Sequence, residues 1–462
     1  MRQAFLVERP RHAALRALNY EPSIERLRRR RRGSSSTPLQ DLVTDLGSGY
    51  ASVFARVDCD RGHGVELLSQ SDMFAAEPVG RVIRRDSMQH PERHEVKKWH
   101  VLVAGAGTLA PTELYGRAIV ADGRLVGKYI GQDSLRIEFA EPDGDEALFA
   151  YAYLASPTGL RALRSTSYGT KILRIRRDVL STLPVPHPGD DVQSRIAALV
   201  RRTVEQRERY FTALAAARRE VENLPEMRAA HDMCAERAPR SASWSGPLTT
   251  LSAWNYASTG GALSLLNRAW RVRLRDALES NGAFNGPRFG RIECDPPHGV
   301  DFFSQRDAFL IRPAPRRIVR PSIPDRLLFV PESAILAGSH GQIGDGGLFG
   351  RVELASFGAH QAGVTQDLLR LLFRERYRAT AFAYLSTRVG ERLLKSTAVG
   401  TSIPSMRLDL LGELPFPDVS SDRAAAIGRH VATAEAARVA ASSAEREAMR
   451  LIEHEVMPAW LA

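Results

Sequence analysis

The chain has 462 residues, 44% of them hydrophobic and 25% charged, which supports folded cores and excludes an intrinsically disordered protein. That length exceeds what one hydrophobic core serves, so two or more domains are expected. The net charge of +11 points to an anionic partner, nucleic acid above all, and no apolar run approaches the roughly 18 residues of a membrane span.

Five consecutive arginines, Arg28, Arg29, Arg30, Arg31 and Arg32, stand near the N-terminus and precede Gly-Ser-Ser-Ser. Like charges at this density repel unless an anion neutralises them, so phosphate contact is the sharper reading and a solvated loop the plainer one. Residues 54–74, FARVDCDRGHGVELLSQSDMF, follow. Alternation of Arg81, Ile83 and Arg85 predicts a strand over 79–85. The glycine-bearing stretch GAGTLAPTELYGR (105–117) reads as tight turns ending at Arg117. Two further strands are expected at 125–131 and 135–139, separated by a turn at Gln132-Asp133. Tyr153–Ser165 has helical spacing, and GTKI (169–172) leads to LPVP (183–186), where proline forces an extended exit.

Apolar steps of three and four then run through Val192, Ile196, Leu199, Thr203, Gln206, Tyr210, Leu214, Ala217, Val221 and Leu224. They predict a helix over 190–225 with a seam close to that of a coiled coil. The polar, proline-bearing HDMCAERAPRSASWSGP (231–247) reads as a linker.

Beyond the linker the same plan returns. Residues 289–309, FGRIECDPPHGVDFFSQRDAF, match 54–74 at 11 of 21 positions, where roughly one or two would agree by chance. Ser69-Gln70 pairs with Ser304-Gln305, Cys59 with Cys294 and His63 with His298. A strand is expected at 314–320, GQIGDGGLFGR (341–351) ends at Arg351, and Phe382–Ser396 reads as a helix. GTSI (400–403), LPFP (414–417) and a helix over 420–457 close the copy. The offset falls from 235 in the first window to 231 in the last, so this is one long duplication and not a solenoid of short units. The arginine run has no close equivalent: the second copy carries Arg268, Arg271, Arg273 and Arg275 interleaved with Trp270 and Val272. Domains are therefore expected at 1–188 and 247–418, long helices at 189–227 and 419–462, and a linker at 228–246. Only Cys59, Cys234 and Cys294 occur, which suits a reducing cytoplasm.

A doubled domain ending each time in Gly-Thr-x-Ile, a Leu-Pro-x-Pro exit and a long helix resembles the specificity subunit of a Type I restriction-modification system. The resemblance spans essentially the whole chain through its plan, on short motifs. It implies an α+β fold: two tandem mixed α/β target-recognition domains separated by two long antiparallel coiled-coil helices, with pseudo-two-fold symmetry. It further implies that each domain reads one half of a split site in double-stranded DNA while the helices act as a ruler. The helices would dock two adenine-N6 DNA methyltransferase subunits, and motor-nuclease restriction subunits would join them. The chain itself would perform no chemistry and hold no cofactor; S-adenosylmethionine would belong to the methyltransferase. The candidate DNA contacts are the Arg28–Arg32 run, Ser69, Gln70, Arg117, Thr170, Lys171, Arg271, Arg273, Ser304, Gln305, Arg351, Thr401 and Ser402. The acidic-glutamine step usual after Pro-x-Pro is altered to Asp191-Val192-Gln193 in the first copy and absent from the second.

Two other readings compete. Asp58, Asp60, His63 and Glu66, with Glu293, Asp295, His298 and Asp301, resemble paired metal or acid–base clusters of a nuclease or modification enzyme. No lysine follows at matching spacing, and a turn capped by histidine explains the same residues. Asp295-Pro-Pro-His298 lacks the aromatic of an amino-methyltransferase loop, and GQIGDGGLFGR lacks the Gly-Lys-Ser/Thr of a phosphate-binding loop. A stand-alone DNA-binding regulator is the third reading.

Overall fold

The computed structural model describes residues 16–30, 36–47, 54–110, 113–234, 250, 252–257, 259, 261–344, 346–358 and 361–461. The chain forms two compact units, Met1–Glu208 with Ala440–Ala462, and Arg209–Val439. Each boundary therefore falls inside a long helix.

In the first unit an antiparallel sheet runs in the order Val43–Leu46, Ser134–Phe139, Val101–Ala104, Ala118–Val120. Its inner strand is the apolar run VLVA, buried throughout, as befits a strand covered on both faces. A second sheet sets Val65–Leu68 between Arg81–Ile83, antiparallel, and Tyr129–Ile130, parallel. The other unit repeats both orders. Leu278–Asn285, Leu368–Phe373, Ile335–Gly338 and Val352–Leu354 form its main sheet. Val300–Phe303 lies between Arg316–Ile318 and Gly363–Val364.

Several expected elements are interrupted. Residues 125–131 are mostly a turn: Leu125 N–H bonds the Asp122 carbonyl, Gly127 takes φ 76°, and only Tyr129–Ile130 is strand. The single helix expected over Tyr153–Ser165 is two, Asp145–Ala155 and Pro157–Arg164, because Pro157 has no N–H to continue the first and suits the start of the second. The second copy breaks likewise into Glu375–Leu385 and Arg388–Lys395 without a proline. Gly159 and Gly390 make both breaks possible. A Cβ there would lie 1.9 Å from the Tyr153 carbonyl oxygen and 2.2 Å from that of Tyr384.

The first long helix, Asp190–Glu222, ends earlier than expected because Pro225 begins another helix, Pro225–Met233. The expected linker at 228–246 is thus helical to Met233, and 235–249 lie outside the described residues. The second long helix, Ser421–Leu451, continues through a π turn, Ile452–Val456, into Met457–Leu461.

Within each unit the two long helices run antiparallel. In the first, Arg195 pairs with Glu455 at 3.5 Å and Arg207 with Glu445 at 2.6 Å. In the second, Arg423 meets Glu220 at 3.7 Å and the Arg438 guanidinium lies 5.1 Å from the Tyr210 ring. Ile196, Val200 and Val204 share a core with Leu451, Ile452 and Val456, each burial contributing about 1.5–3 kcal/mol. The seam departs from the expected one: Leu199 and Gln206 are half-buried, while Val200 and Arg207 take the buried places. Each helix also packs on its own domain, which widens the buried stripe beyond a two-helix seam.

Candidate nucleic-acid interface

The motif most alike in the two copies holds the fold together. Ser69 accepts from the Asp72 N–H at 3.3 Å while Asp72 accepts from the Ser69 N–H at 2.8 Å, a capping box that starts helix Gln70–Met73. Ser304 and Asp307 do the same at 3.3 and 3.0 Å. Next to each cap, a glutamine side chain mimics a strand partner. Gln70 donates Nε2 to the Ala106 carbonyl at 2.9 Å and accepts from the Ala106 N–H at 3.2 Å. Gln305 donates to the His340 carbonyl at 3.0 Å and accepts from its N–H at 3.5 Å. Ser69, Gln70, Ser304 and Gln305, expected as DNA contacts, are therefore engaged with their own backbone.

Other expected contacts divide in the same way. Arg28 donates to the Asn19 carbonyl at 2.8 Å and to Ser165 Oγ at 3.1 Å, and pairs with Glu25 at 3.2 Å, pinning the N-terminal helix Pro22–Arg30. Arg29 and Arg30 complete that helix, and Arg31 and Arg32 lie outside the described residues. Arg117 is only 8% exposed, and Arg351, in the equivalent turn, is half-buried. Arg273 donates to the Trp270 carbonyl at 2.9 Å, whereas Arg271 is exposed.

Thr170, Lys171, Thr401 and Ser402 are exposed at the tips of two hairpins. The first joins Ser167–Tyr168 to Leu173–Ile175 and adds Ala106–Gly107 as a third strand. The second joins Ala398–Val399 to Ser405–Met406, with a bridge from Ser405 to His340. Each hairpin thus borders the segment that its glutamine grips. Ile172 and Ile403, one residue past the expected contacts, are 56% and 71% exposed. Their repetition in GTKI and GTSI was the available signal; only the fold reveals their exposure.

Two concavities lie in the first unit near these elements. Arg56, Arg81, Ser69–Asp72 and Asp133 line one of about 350 Å³. Tyr168, Arg176, Arg177, Gln40 and Thr44 line an open groove of about 870 Å³. The unlike segments 84–100 and 319–334 leave the two small sheets at equivalent places. Arg84, Gln89, His90 and Arg93 are exposed on the first, and Arg320, Ser322, Asp325 and Arg326 on the second.

Four of the six acidic residues that suggested catalysis are bound to cations. Asp58 takes both Arg81 Nε and Nη2, the latter at 2.8 Å. Glu66 meets Lys128 at 3.2 Å and the Gly80 N–H at 2.6 Å. Glu293 meets Arg316 at 3.2 Å and Asp301 meets Arg317 at 3.0 Å. Among the described residues, no three His, Cys, Asp or Glu side chains are grouped to hold a metal ion, and no helix is long and apolar enough to cross a membrane.

Over 92% of its length the chain is similar to the S subunit of a Type-I restriction-modification system from M. genitalium, at 15% identity, covering 94% of that chain with a TM-score of 0.29. It is also similar to the HsdS subunit from Thermoanaerobacter tengcongensis, at 16% identity, 92% and 96% coverage and a TM-score of 0.26. A chain of a type I R-M system, from a structure concerned with complex assembly and conformational transition, matches at 15% identity, 92% and 97% coverage and a TM-score of 0.27. No family model and no curated protein matches. At such TM-scores the likeness carries no argument, and the functional reading rests on the residues above.

Proposed function

We propose that the chain is the DNA sequence-recognition subunit of a Type I-like restriction-modification complex, reading a bipartite site in duplex DNA. One observation carries this reading: residues common to both copies hold the frame, while the exposed residues of segments 84–100 and 319–334 mounted on it differ. A reader of two unlike half-sites needs that division. Arginine bidentate to guanine and glutamine bidentate to adenine are the side-chain pairings that read base edges, and segments 84–100 and 319–334 carry such groups. Arg29–Arg32, Lys171 and Arg271, with the Thr170, Thr401 and Ser402 hydroxyls, contact phosphates, which position the protein without reading sequence.

The long helices dock two adenine-N6 DNA methyltransferase subunits, which bring S-adenosylmethionine, and a motor-nuclease subunit joins them. This chain supplies no catalytic group; in support, Asp58, Glu66, Glu293 and Asp301 are each paired with arginine or lysine. The purified chain should bind duplex DNA with steep salt dependence and neither cut nor methylate it. Replacing Arg29–Arg32 by serine should weaken binding to all sequences and lower the salt slope. Turnover of DNA by the isolated chain with magnesium or S-adenosylmethionine would overturn the reading.

A further inference from the structure

The two hairpin tips share a feature that neither the fold nor base reading uses. Both hairpins are pinned at the base by equivalent bonds. Asn19 Nδ2 donates to the Ser165 and Ser167 carbonyls, and Asn255 Nδ2 to those of Ser396 and Ala398. The Arg176 N–H bonds the Thr166 carbonyl at 3.0 Å, and the Arg407 N–H bonds that of Thr397 at 3.0 Å. Gly169 and Gly400 then turn the chain at φ 96° and 103°, a conformation that favours glycine. Ile172 and Ile403 follow, held out at 56% and 71% exposure. Tyr168, exposed in the first hairpin, becomes half-buried Val399 in the second, so the isoleucine is the apolar tip residue exposed in both.

We infer that Ile172 and Ile403 are apolar wedges that enter duplex DNA between base steps, each kinking its own half-site. This rests on the DNA-recognition reading above. Three observations favour DNA over a protein socket. A protein anchor sits in a contiguous apolar patch, whereas each isoleucine follows glycine, threonine and then lysine or serine. Those neighbours offer the exposed Thr170, Thr401 and Ser402 hydroxyls and the Lys171 ammonium, donors suited to phosphate. The tip is also alike in both copies although the half-sites differ, so it must contact what any sequence offers, the base stack. Wedges of this kind select deformable pyrimidine–purine steps without reading base edges.

The test uses the full chain and a duplex that the wild type selects from random DNA, end-labelled for energy transfer and carrying 2-aminopurine at candidate steps. Ile172→Asp and Ile403→Asp should each bind about tenfold more weakly and lose the bend and the 2-aminopurine signal in one half-site. Ile172→Leu and Ile403→Leu should retain both. The tips are exposed, so unchanged thermal melting shows that the variants fold. Wild-type affinity and bending in the Asp variants would overturn the wedge while leaving the recognition reading standing. So would unaltered DNA binding with loss of one methyltransferase equivalent per substitution in native mass spectrometry, which makes the tips protein anchors. Failure of the wild type to select any site would overturn the recognition reading itself.

Discussion

At one position of the central sheet both units bury an arginine, and the two live in different surroundings. Arg136 has Asp45 at 3.0 Å, Glu138 at 3.7 Å and the Glu95 carbonyl at 3.1 Å. Its counterpart Arg370 meets the Leu327 and Leu328 carbonyls at 3.1 and 3.3 Å and stacks 5.6 Å from the Phe284 ring. Its Nε and Nη1 have no hydrogen-bond partner among the described residues, and burial pushes its pKa down to about 10. Duplication has preserved strand order, and the register of Val101–Ala104 and Ile335–Gly338 with both neighbours, while the electrostatics beneath them diverged. Arg207 and Arg438, 231 apart on the two long helices, diverge in the same sense. Arg207 is held by Glu445 and lies 3.9 Å from Asp122; Arg438 is held by Glu353 at 3.3 Å, the Leu310 carbonyl and the Tyr210 ring.

The largest effect is expected where a buried charge loses its nearest partner. Burial alone would lower the Arg207 pKa, yet Glu445, Tyr151 and Asp122 raise it above its ordinary value. Glu445→Gln should therefore destabilise the first unit by about 3 kcal/mol, since a buried charge is left with only the more distant Asp122 to balance it. Urea unfolding measures this; a change within about 0.5 kcal/mol would mean that the pair contributes little.

A direct comparison of the two units follows from the sheet arginines. Arg136→Met should cost about 2–3 kcal/mol because it strips two half-buried carboxylates, Asp45 and Glu138, of their cation, whereas Arg370→Met should be neutral or stabilising by about 1–2 kcal/mol. Equal losses in the two variants would show that the difference in partners has no energetic consequence.

How far this was readable beforehand varies by element. The duplication and the strands at 81–83 and 316–318 follow from residue identity and alternation, which survive without tertiary context. The capping and clamping roles of Ser69-Gln70 and Ser304-Gln305 were not legible, because residue types that hydrogen-bond DNA also cap helices and grip backbone. The bond from Arg28 to the Asn19 carbonyl and the burial of Arg117 were hidden for the same reason. Pro157 and Pro225 announced helix breaks, but the apolar periodicity ran through both. Arg207 was missed because its partner Glu445 lies 238 residues away and a seam read by apolar spacing passes over a buried ion pair.

At neutral pH the smallest expected effect is the difference in acid response, which grows only as pH falls. Burial, helped by Arg136 and Lys97, depresses the His100 pKa to about 4, and burial lowers that of His94. The second unit has Ala334 and Leu328 at these places. Between about pH 6.5 and 4 the unfolded chain takes up protons that folded His100 refuses, so the first unit should lose stability as pH falls through that window, by up to about 3 kcal/mol, and show no such loss above it. His100→Ala should flatten this dependence in urea midpoints measured at about pH 5 and about pH 7. An unaltered pH profile in that variant would place the titration elsewhere.

The central claim is that one repeated frame presents two different readers of duplex DNA. Selection of bound sequences from random duplex DNA by the wild-type chain, beside a variant in which Arg84, Gln89, His90 and Arg93 are replaced by alanine, tests it most directly. The expected result is enrichment of two unlike half-sequences by the wild type, with one relaxed and the other kept by the variant. Enrichment of nothing, or of two half-sequences that change together, would contradict it.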